Sequence, residues 1–365
     1  MTNAEHDGFA WRLARTPAAG LPTQGDFVRT EEPMPVPGPG QMLTRTIYLS
    51  LDPYQWGRRR GGVEKVGDVC HGRTVSHVLD SRLADYAPGD YVFNTNGWQC
   101  HGLTGRGVDV FDYMAPRKLD PGVAPISTAV GILGMLGLTA YAGVVVQCRP
   151  RAGETVVVSA ASGGVGQAAG QIAKLHGCRV VGIAGRREKC DFVTRDLGFD
   201  ACVSYRSPDY RDHLRTACPD GVDIYFENVG GAVFEGVLPL LNRRSRISLC
   251  GMVSQYGNVG GRNPAEVWTE TGGPYFERQD VMVHRLFVRN YVAEHQDRFL
   301  AEMTDWLKDH RVKYREDIWV GLEQAPTAFH AMLVGGNFGK TLVRVADDPT
   351  MSGSSASDRT GNIIA

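Results

Sequence analysis

Three closely spaced glycines, Gly163, Gly164 and Gly166, stand between the apolar run Thr155–Ser159 and the segment 167–177. The chemistry this placement allows is the holding of a pyrophosphate. Gly163 lets backbone approach the anion, Gly166 lets a helix pack closely on a strand, and the helix N-terminus turns unpaired N–H groups toward the phosphates. Ala161 stands where the first glycine of the dinucleotide-binding pattern belongs, so the motif, with Val165 inside it, reads A-x-G-x-x-G. About 20 residues beyond such glycines, an NAD enzyme sets an Asp or Glu against the ribose 2′-hydroxyl. Here the run Arg179–Ala184 ends instead in Gly185-Arg186-Arg187-Glu188-Lys189. Three cations suit a 2′-phosphate. Two charge-assisted hydrogen bonds at roughly 1.5–3 kcal/mol each would favour NADPH by on the order of 100-fold or more. Glu188 has two readings, a ribose ligand or a first-turn acid favoured by the helix dipole, and the cations themselves also suit a solvated helix start. The expected cofactor is NADPH.

Other chemistries find less support. The eight cysteines (70, 100, 148, 178, 190, 202, 218, 250) include no C-x-x-C, which argues against a disulfide scaffold or a closed zinc site. Two Cys-His pairs, Cys70-His71 and Cys100-His101, need weighing as ligands. Neighbours on an extended strand face opposite ways, so neither pair is a ready chelate, and no metal is expected. Ser162 lacks the G-x-S-x-G context of a nucleophile elbow. The run Arg58-Arg59-Arg60 reads as a solvated loop, with attraction for an acidic substrate tail as the alternative. Trp56, Trp98 and Tyr141 are either pocket wall or core.

The elements that position these groups follow from periodicity. Residues 9–120 read as mostly β: short β-branched or apolar runs (Met42–Leu51, Thr74–Leu79, Asp90–Phe93) alternate with Gly/Pro turns, as in a small barrel-like domain. From about Thr128 the pattern changes. Apolar runs at Thr155–Ser159, Arg179–Ala184, Ala201–Ser204, Val222–Glu227 and Arg246–Cys250 alternate with helical segments at Gly166–His176, Arg187–Leu197, Tyr210–Ala217 and Ala232–Leu241. Gly177 and Gly198 stand at C-cap positions. This is the pattern of a doubly wound parallel sheet, with ligands at the strand C-termini. Glu294–His310 is a further helix, and Ile318–Lys340 with Thr341–Val345 supply a helix and a strand. The 39 basic and 40 acidic residues give no electrostatic case for nucleic acid or anionic membrane as partner. No apolar run reaches a membrane span. The polar start, Met1 to Gly8, shows no secretion signal, so the cytoplasm is expected.

With these motifs in view the chain resembles the medium-chain dehydrogenase/reductase superfamily. It is most similar to the zinc-independent alkenal/one oxidoreductases, the group of prostaglandin reductase (leukotriene B4 12-hydroxydehydrogenase) and plant double-bond reductases. The carriers are Leu49–Tyr54, Gly134–Tyr141, Ala160–Gly166, Phe226–Gly231, Cys250–Tyr256 and Asn337–Lys340. The resemblance implies an α/β fold: a doubly wound parallel-sheet Rossmann domain (131–311) that binds NADPH, plus a GroES-like β-rich catalytic domain (1–130 and 312–346). The tail 347–365 is expected to be disordered.

It further implies pyrophosphate contacts at Gly163–Gly166 and 2′-phosphate contacts at Lys189 and Tyr205, to which charge adds Arg186. Asn228, the segment Cys250-Gly251-Met252-Val253-Ser254-Gln255-Tyr256, Leu286-Phe287-Val288 and Asn337 would line the rest of the cofactor. Asn228 also reads as a simple turn former. The implied reaction is metal-independent reduction of the C=C bond of α,β-unsaturated aldehydes or ketones. A neutral donor suffices for the developing enolate oxygen. Tyr256 is the first candidate and Tyr54 the second, for orientation or proton delivery; each also reads as an amphipathic wall residue. Alternatives are an NADPH:quinone oxidoreductase or a non-catalytic dinucleotide-binding protein. A homodimer is implied through edge strands of the nucleotide domains. Departures fall at Leu136, at Gln55–Arg60 and in Cys100–Asp120, all expected near substrate.

Overall fold

The computed structural model describes residues 8–108, 113–258 and 263–351, together with the backbone of Ile363–Ile364. Two compact units emerge. The first comprises Met1–Gly131, Asp317–Asn337 and Thr341–Gly361, and the second Ile132–Glu316, Phe338–Lys340 and Asn362–Ala365.

The first unit is β-rich. A hairpin pairs β1 (Phe9–Leu13) with β2 (Phe27–Glu31). The long strand β3 (Gln41–Ser50) is followed by helix α1 (Tyr54–Arg60), β4 (Thr74–Ser81), β5 (Tyr91–Asn94), β6 (His101–Gly105) and β7 (Arg117–Leu119). Strand β3 pairs antiparallel with both β4 and β6, and β4 continues to β5 and β7. Inside lies a buried polar network: Asn94 donates to Thr44 and Thr104, and Asn96 to Thr44, Thr46 and Ser76. Buried amides of this kind must find partners, and these do. Of the atypical Cys100–Asp120 segment, residues 109–112 lie outside the described residues.

The second unit opens with α2 (Met135–Tyr141) and then alternates: β8 (Thr155–Ser159), α3 (Gly164–Leu175), β9 (Arg179–Ala184), α4 (Arg187–Arg195), β10 (Ala201–Ser204), α5 (Tyr210–Ala217), β11 (Val222–Glu227), α6 (Gly231–Val237) and β12 (Leu241–Leu249). Then come α7 (Pro264–Gln279), β13 (Met282–Arg285) and α8 (Val292–Lys308). The six strands are all parallel, in the order β10-β9-β8-β11-β12-β13. That is the doubly wound arrangement, with the switch between β8 and β11. Val156, Val157, Val158, Val180, Ile183, Ile224 and Phe226 are fully buried, as a sheet covered on both faces requires. Gly177 and Gly198 take φ of 77° and 71° just past α3 and α4, the left-handed C-cap conformation.

Strand β12 begins five residues earlier than its apolar run suggests. Asn242, Arg243 and Arg244 hide it, and a register shift at Val222/Ile224 absorbs the irregularity. Pro239 cannot donate to a helix, so α6 stops at Val237. Helix α7 had no periodic signal because Gly272, Gly273 and Pro274 interrupt it; its start is marked by Asn263, whose side chain caps Ala265 N, and by Pro264.

The chain then supplies β14 (Tyr314–Val320), α9 (Ala325–Leu333) and β15 (Lys340–Arg344), with β15 pairing antiparallel with β3. Of the segment 347–365, residues 347–351 are described, and Tyr48 Oη donates to Asp348 at 2.9 Å. The backbone of Ile363–Ile364 pairs with Tyr314 and Arg315. No helix among the described residues is long and apolar enough to cross a membrane.

Candidate active site

Six parallel strands deliver their C-terminal ends to one rim of the second unit, and most of the candidate residues lie there. At the end of β8, Ala160 turns the chain with φ 50°, a left-handed conformation in a residue that carries a Cβ. Gly163 stands at the N-cap, its amide bonded to the Ala160 carbonyl at 2.9 Å. The first intrahelical bond is Gln167 N to Gly163 O, so the amides of Gly164, Val165 and Gly166 precede the helical ladder. A Cβ on Gly166 would collide with the Ala160 carbonyl and approach Ala161 Cα within 2.9 Å. This position admits glycine alone. The combination of outward amides and close helix–strand packing fits a pyrophosphate.

One strand over, β9 leads through Gly185 to Arg186, the N-cap of α4, with Lys189 in its first turn. Tyr205, just after β10, lies against Gly185: a Cβ there would meet its hydroxyl at 3.0 Å. Tyr205 is 41% exposed and Lys189 only 8%, so the ring and two cations frame a partly open, positive corner. Glu188 sits in the first helical turn, the second of its two sequence readings.

At the end of β11, Asn228 is held twice to β8: its amide donates to Ser159 Oγ at 2.8 Å and its Nδ2 to Ser159 O at 2.7 Å. No described residue donates to Asn228 Oδ1. The segment Cys250–Tyr256 runs alongside. Cys250 N and Gly251 N donate to Glu227 O, Val253 N to Asn228 O, and Ser254 N to Val229 O. Tyr256 folds back so that its hydroxyl lies 3.5 Å from where a Gly251 Cβ would be. Burial pushes its phenol up to about 12, so it stays protonated at neutral pH. At the end of β13, Leu286 is buried, Phe287 is 59% exposed, and Val288 opens a short helical turn.

Glu227 knits this rim and was not singled out in the sequence. It is fully buried, and its Oε1 accepts from Ser159 Oγ (3.0 Å), Val229 N (2.7 Å) and Gly230 N (3.2 Å). A lone acid at the end of an apolar strand was its only signal.

Tyr54 and Asn337 belong to the first unit. Asn337 lies on the loop between α9 and β15. Tyr54 opens α1, where its hydroxyl meets His71 Nε2 at 2.9 Å and accepts from Arg73 Nη1 at 2.9 Å. His71 is pinned in turn: its amide donates to Glu64 at 3.1 Å, and Glu64 pairs with Arg59 at 3.0 Å. The i, i+2 spacing of His71 and Arg73 on an extended segment was the available sign that both face one way.

The expected solvated Arg58–Arg60 loop is therefore corrected. These residues are the last turn of α1, and Arg59 is fully buried, its guanidinium 4.5 Å from the Trp98 ring and 5.0 Å from that of Phe329. A long apolar stem and a delocalised cation make arginine the charge that tolerates such a place. Trp56, Trp98 and Tyr141 are buried core.

With the geometry in hand, comparison with known proteins is decisive. Residues 164–271 match the zinc-binding dehydrogenase family, and residues 10–110 match the N-terminal domain of oxidoreductase. The NADPH-dependent curcumin reductase of Escherichia coli (strain K12) is 42% identical over 349 residues, covering 93% of this chain and 97% of that one. The chain belongs to the medium-chain dehydrogenase/reductase family. Rat (Rattus norvegicus) prostaglandin reductase 1 is 38% identical over 331 residues, covering 89% of this chain and 95% of that protein. The crystal structure of CurA from Vibrio vulnificus in complex with NADPH superimposes with a TM-score of 0.84 at 38% identity, covering 93% of this chain and all of that one.

The zinc named by that family description does not fit this medium-chain dehydrogenase/reductase. Among the described residues no group of three His, Cys, Asp or Glu is placed to hold a metal. Asp52 accepts a 2.6 Å hydrogen bond from Ser50 Oγ, and His71 meets Tyr54.

Proposed function

We propose that this chain is an NADPH-dependent reductase of the C=C bond of α,β-unsaturated aldehydes and ketones. The observation that carries the reading is the rim of the parallel sheet, where a glycine-only helix start stands beside a two-cation corner. The relatives named as curcumin and prostaglandin reductases support the substrate class. In this reading the segment Gly163–Gly166 holds the pyrophosphate, Gly163 by letting the backbone approach and Gly164, Val165 and Gly166 by their amides, and Arg186, Lys189 and Tyr205 take the 2′-phosphate. Asn228, Cys250–Tyr256, Leu286–Val288 and Asn337 line the remainder. NADPH, when bound, supplies the hydride.

The protein's own task is to stabilise charge on the carbonyl oxygen and to return a proton. Tyr256 donates a neutral hydrogen bond to that oxygen as the enolate forms; with its phenol held near pKa 12 it does so without giving the proton away. Tyr54 orients the substrate or delivers a proton. Arg73 steadies the phenolate that would remain, and His71 Nε2 is the adjacent proton exchange partner. Residues 1–130 with 312–346 are the substrate-handling domain in this proposal, and 131–311 the cofactor domain. A homodimer through the edge strand β13, where Met282 is 57% exposed, and residence in the cytoplasm complete it.

The test is consumption of NADPH and NADH measured against an enone, a quinone and a saturated ketone. Enone turnover with strong NADPH preference is expected. Quinone turnover alone would replace the substrate assignment. Nucleotide binding without turnover on any acceptor would replace catalysis.

A further inference from the structure

Cys190 and Cys202 face one another across the edge of the parallel sheet. Cys190 is the fourth residue of α4, Cys202 lies on the edge strand β10, and their sulfurs are 2.7 Å apart. Both are unbridged and partly exposed, so a small oxidant can reach them. The six other cysteines offer no such pairing. Cys70, Cys148, Cys178 and Cys218 are buried, and burial pushes their thiols up to about 11 or 12; it raises Cys100 and Cys250 as well. Cys190 alone moves down, held there by the hydrogen bond from Cys202 against its own burial, while Cys202 is kept protonated. The first turn of α4 favours the same thiolate, with the neighbouring Asp191 carboxylate opposing it.

We infer that Cys190 and Cys202 form a reversible oxidation site, with Cys190 as the thiol that reacts with hydroperoxides and Cys202 as the resolving thiol. The Cys190 thiolate attacks the terminal oxygen of ROOH. An S–O bond forms, the O–O bond breaks, and the alkoxide leaves as ROH after taking a proton. Cys202 sulfur then attacks the Cys190 sulfenic sulfur; the S–O bond breaks, and the departing hydroxide takes the Cys202 proton to leave as water. Two thiols and one hydroperoxide thus give one disulfide, one alcohol and one water.

The bridge would tie together two segments already in contact. Cys190 N bonds to Arg186 O at 3.1 Å, and Ser204 Oγ, two residues beyond Cys202, donates to Gly185 O at 3.4 Å. Resting on the cofactor reading above, the disulfide and bound NADPH are linked equilibria, so NADPH changes the extent of oxidation by the factor that oxidation changes NADPH affinity, about fivefold or more.

The experiment treats the full chain with hydrogen peroxide in the absence of cofactor, followed by non-reducing mass analysis and peptide mapping. Loss of two hydrogens, a linked peptide pair containing Cys190 and Cys202, and recovery with dithiothreitol are expected. Cys202→Ser should stop at a sulfenic acid that dimedone traps on Cys190, and Cys190→Ser should not form the bridge. The inference falls if both thiols remain alkylatable in folded, peroxide-treated protein, or if Cys100 or Cys250 oxidises first. A second arm repeats the peroxide titration with saturating NADPH. A bridge that forms to the same extent with and without it would overturn the linkage and leave the oxidation site standing.

Discussion

Along the rim of the parallel sheet most of the holding is done by backbone, whereas around Tyr54 side chains hold other side chains. On the rim, the turn after β8 is set by Ala160 and Gly163, Cys250–Tyr256 is laced to Glu227–Val229 by main-chain bonds, and Arg186 is placed by a helix start. Around Tyr54, Arg59 holds Glu64, Glu64 holds the His71 amide, and His71 and Arg73 hold the phenol. A site made of backbone follows from topology, and most of its side chains can vary as long as none fills the space an anion needs. A site made of linked charges depends on every link, and each link is a buried or half-buried group with few substitutes.

The largest expected effect therefore lies in the first unit. Arg59→Ala takes from buried Glu64 the closer of its two cations and leaves it Arg58 at 3.5 Å, a change worth up to about 3–5 kcal/mol. Denaturant unfolding should report a loss of that size, accompanied by lower turnover as His71 and Tyr54 lose register. A loss below about 1 kcal/mol would show that the aromatic rings around Arg59, not the charge chain, carry this region. Next in size is the double variant Arg186→Ala with Lys189→Ala. Two charge-assisted bonds at roughly 1.5–3 kcal/mol each predict a KM for NADPH raised by on the order of 100-fold or more, with NADH kinetics little changed. Equal effects on both nucleotides would mean that the corner supports the fold and does not read the 2′-phosphate.

The same contrast explains what was legible in advance. The five apolar runs from Thr155 to Cys250 became parallel strands, four of them with the very bounds expected, because a sheet covered on both faces writes itself as continuous hydrophobicity. The glycine turn was readable for the same reason: a close approach of backbones excludes every other residue. Arg59 was misread because a run of three arginines looks like a solvated surface, and nothing local says that Trp98 and Phe329, distant in sequence, will close over it. His71 and Arg73 were hidden in a stretch without regular structure, and Glu227 behind a strand that otherwise reads as plain core. Strand β13, with its exposed Met282 and charged Arg285, carries too little apolar signal to stand out as the sixth strand.

A smaller effect separates the two tyrosines. Tyr256→Phe removes one neutral donor, so kcat should fall about fivefold while KM for NADPH stays within about twofold, the worth of a single neutral hydrogen bond being roughly 1 kcal/mol. Its phenol, raised to about 12, also predicts no alkaline limb from this group up to pH 10. Tyr54→Phe should instead change the pH profile, because it cuts the phenol out of contact with both His71 and Arg73. If the two variants behave alike, the division between an oxyanion donor and a proton route is wrong.

The smallest effect tests a place where the backbone-built rim leans on a buried acid. Glu227 is fully buried, and that burial raises its pKa from 4.5 against the lowering effect of the Val229, Gly230 and Ser159 hydrogen bonds. The folded protein thus binds this proton more tightly than the unfolded chain does. Its contribution to stability is fully present below pH 4.5 and is lost as pH rises through the raised native value, with a slope of at most about 1.4 kcal/mol per pH unit between the two. Glu227→Gln keeps a carbonyl oxygen to accept from Val229 and Gly230 but has no proton to lose. The stability of the variant relative to the native protein should therefore climb across that window and level off above it, as read from denaturant midpoints at a series of pH values. Parallel curves from pH 4 upward would mean that the acid is ionised at no net cost in the fold. The hydrogen bonds from the β8 and β11 ends would then hold a carboxylate, and the rim would be built around a buried negative charge.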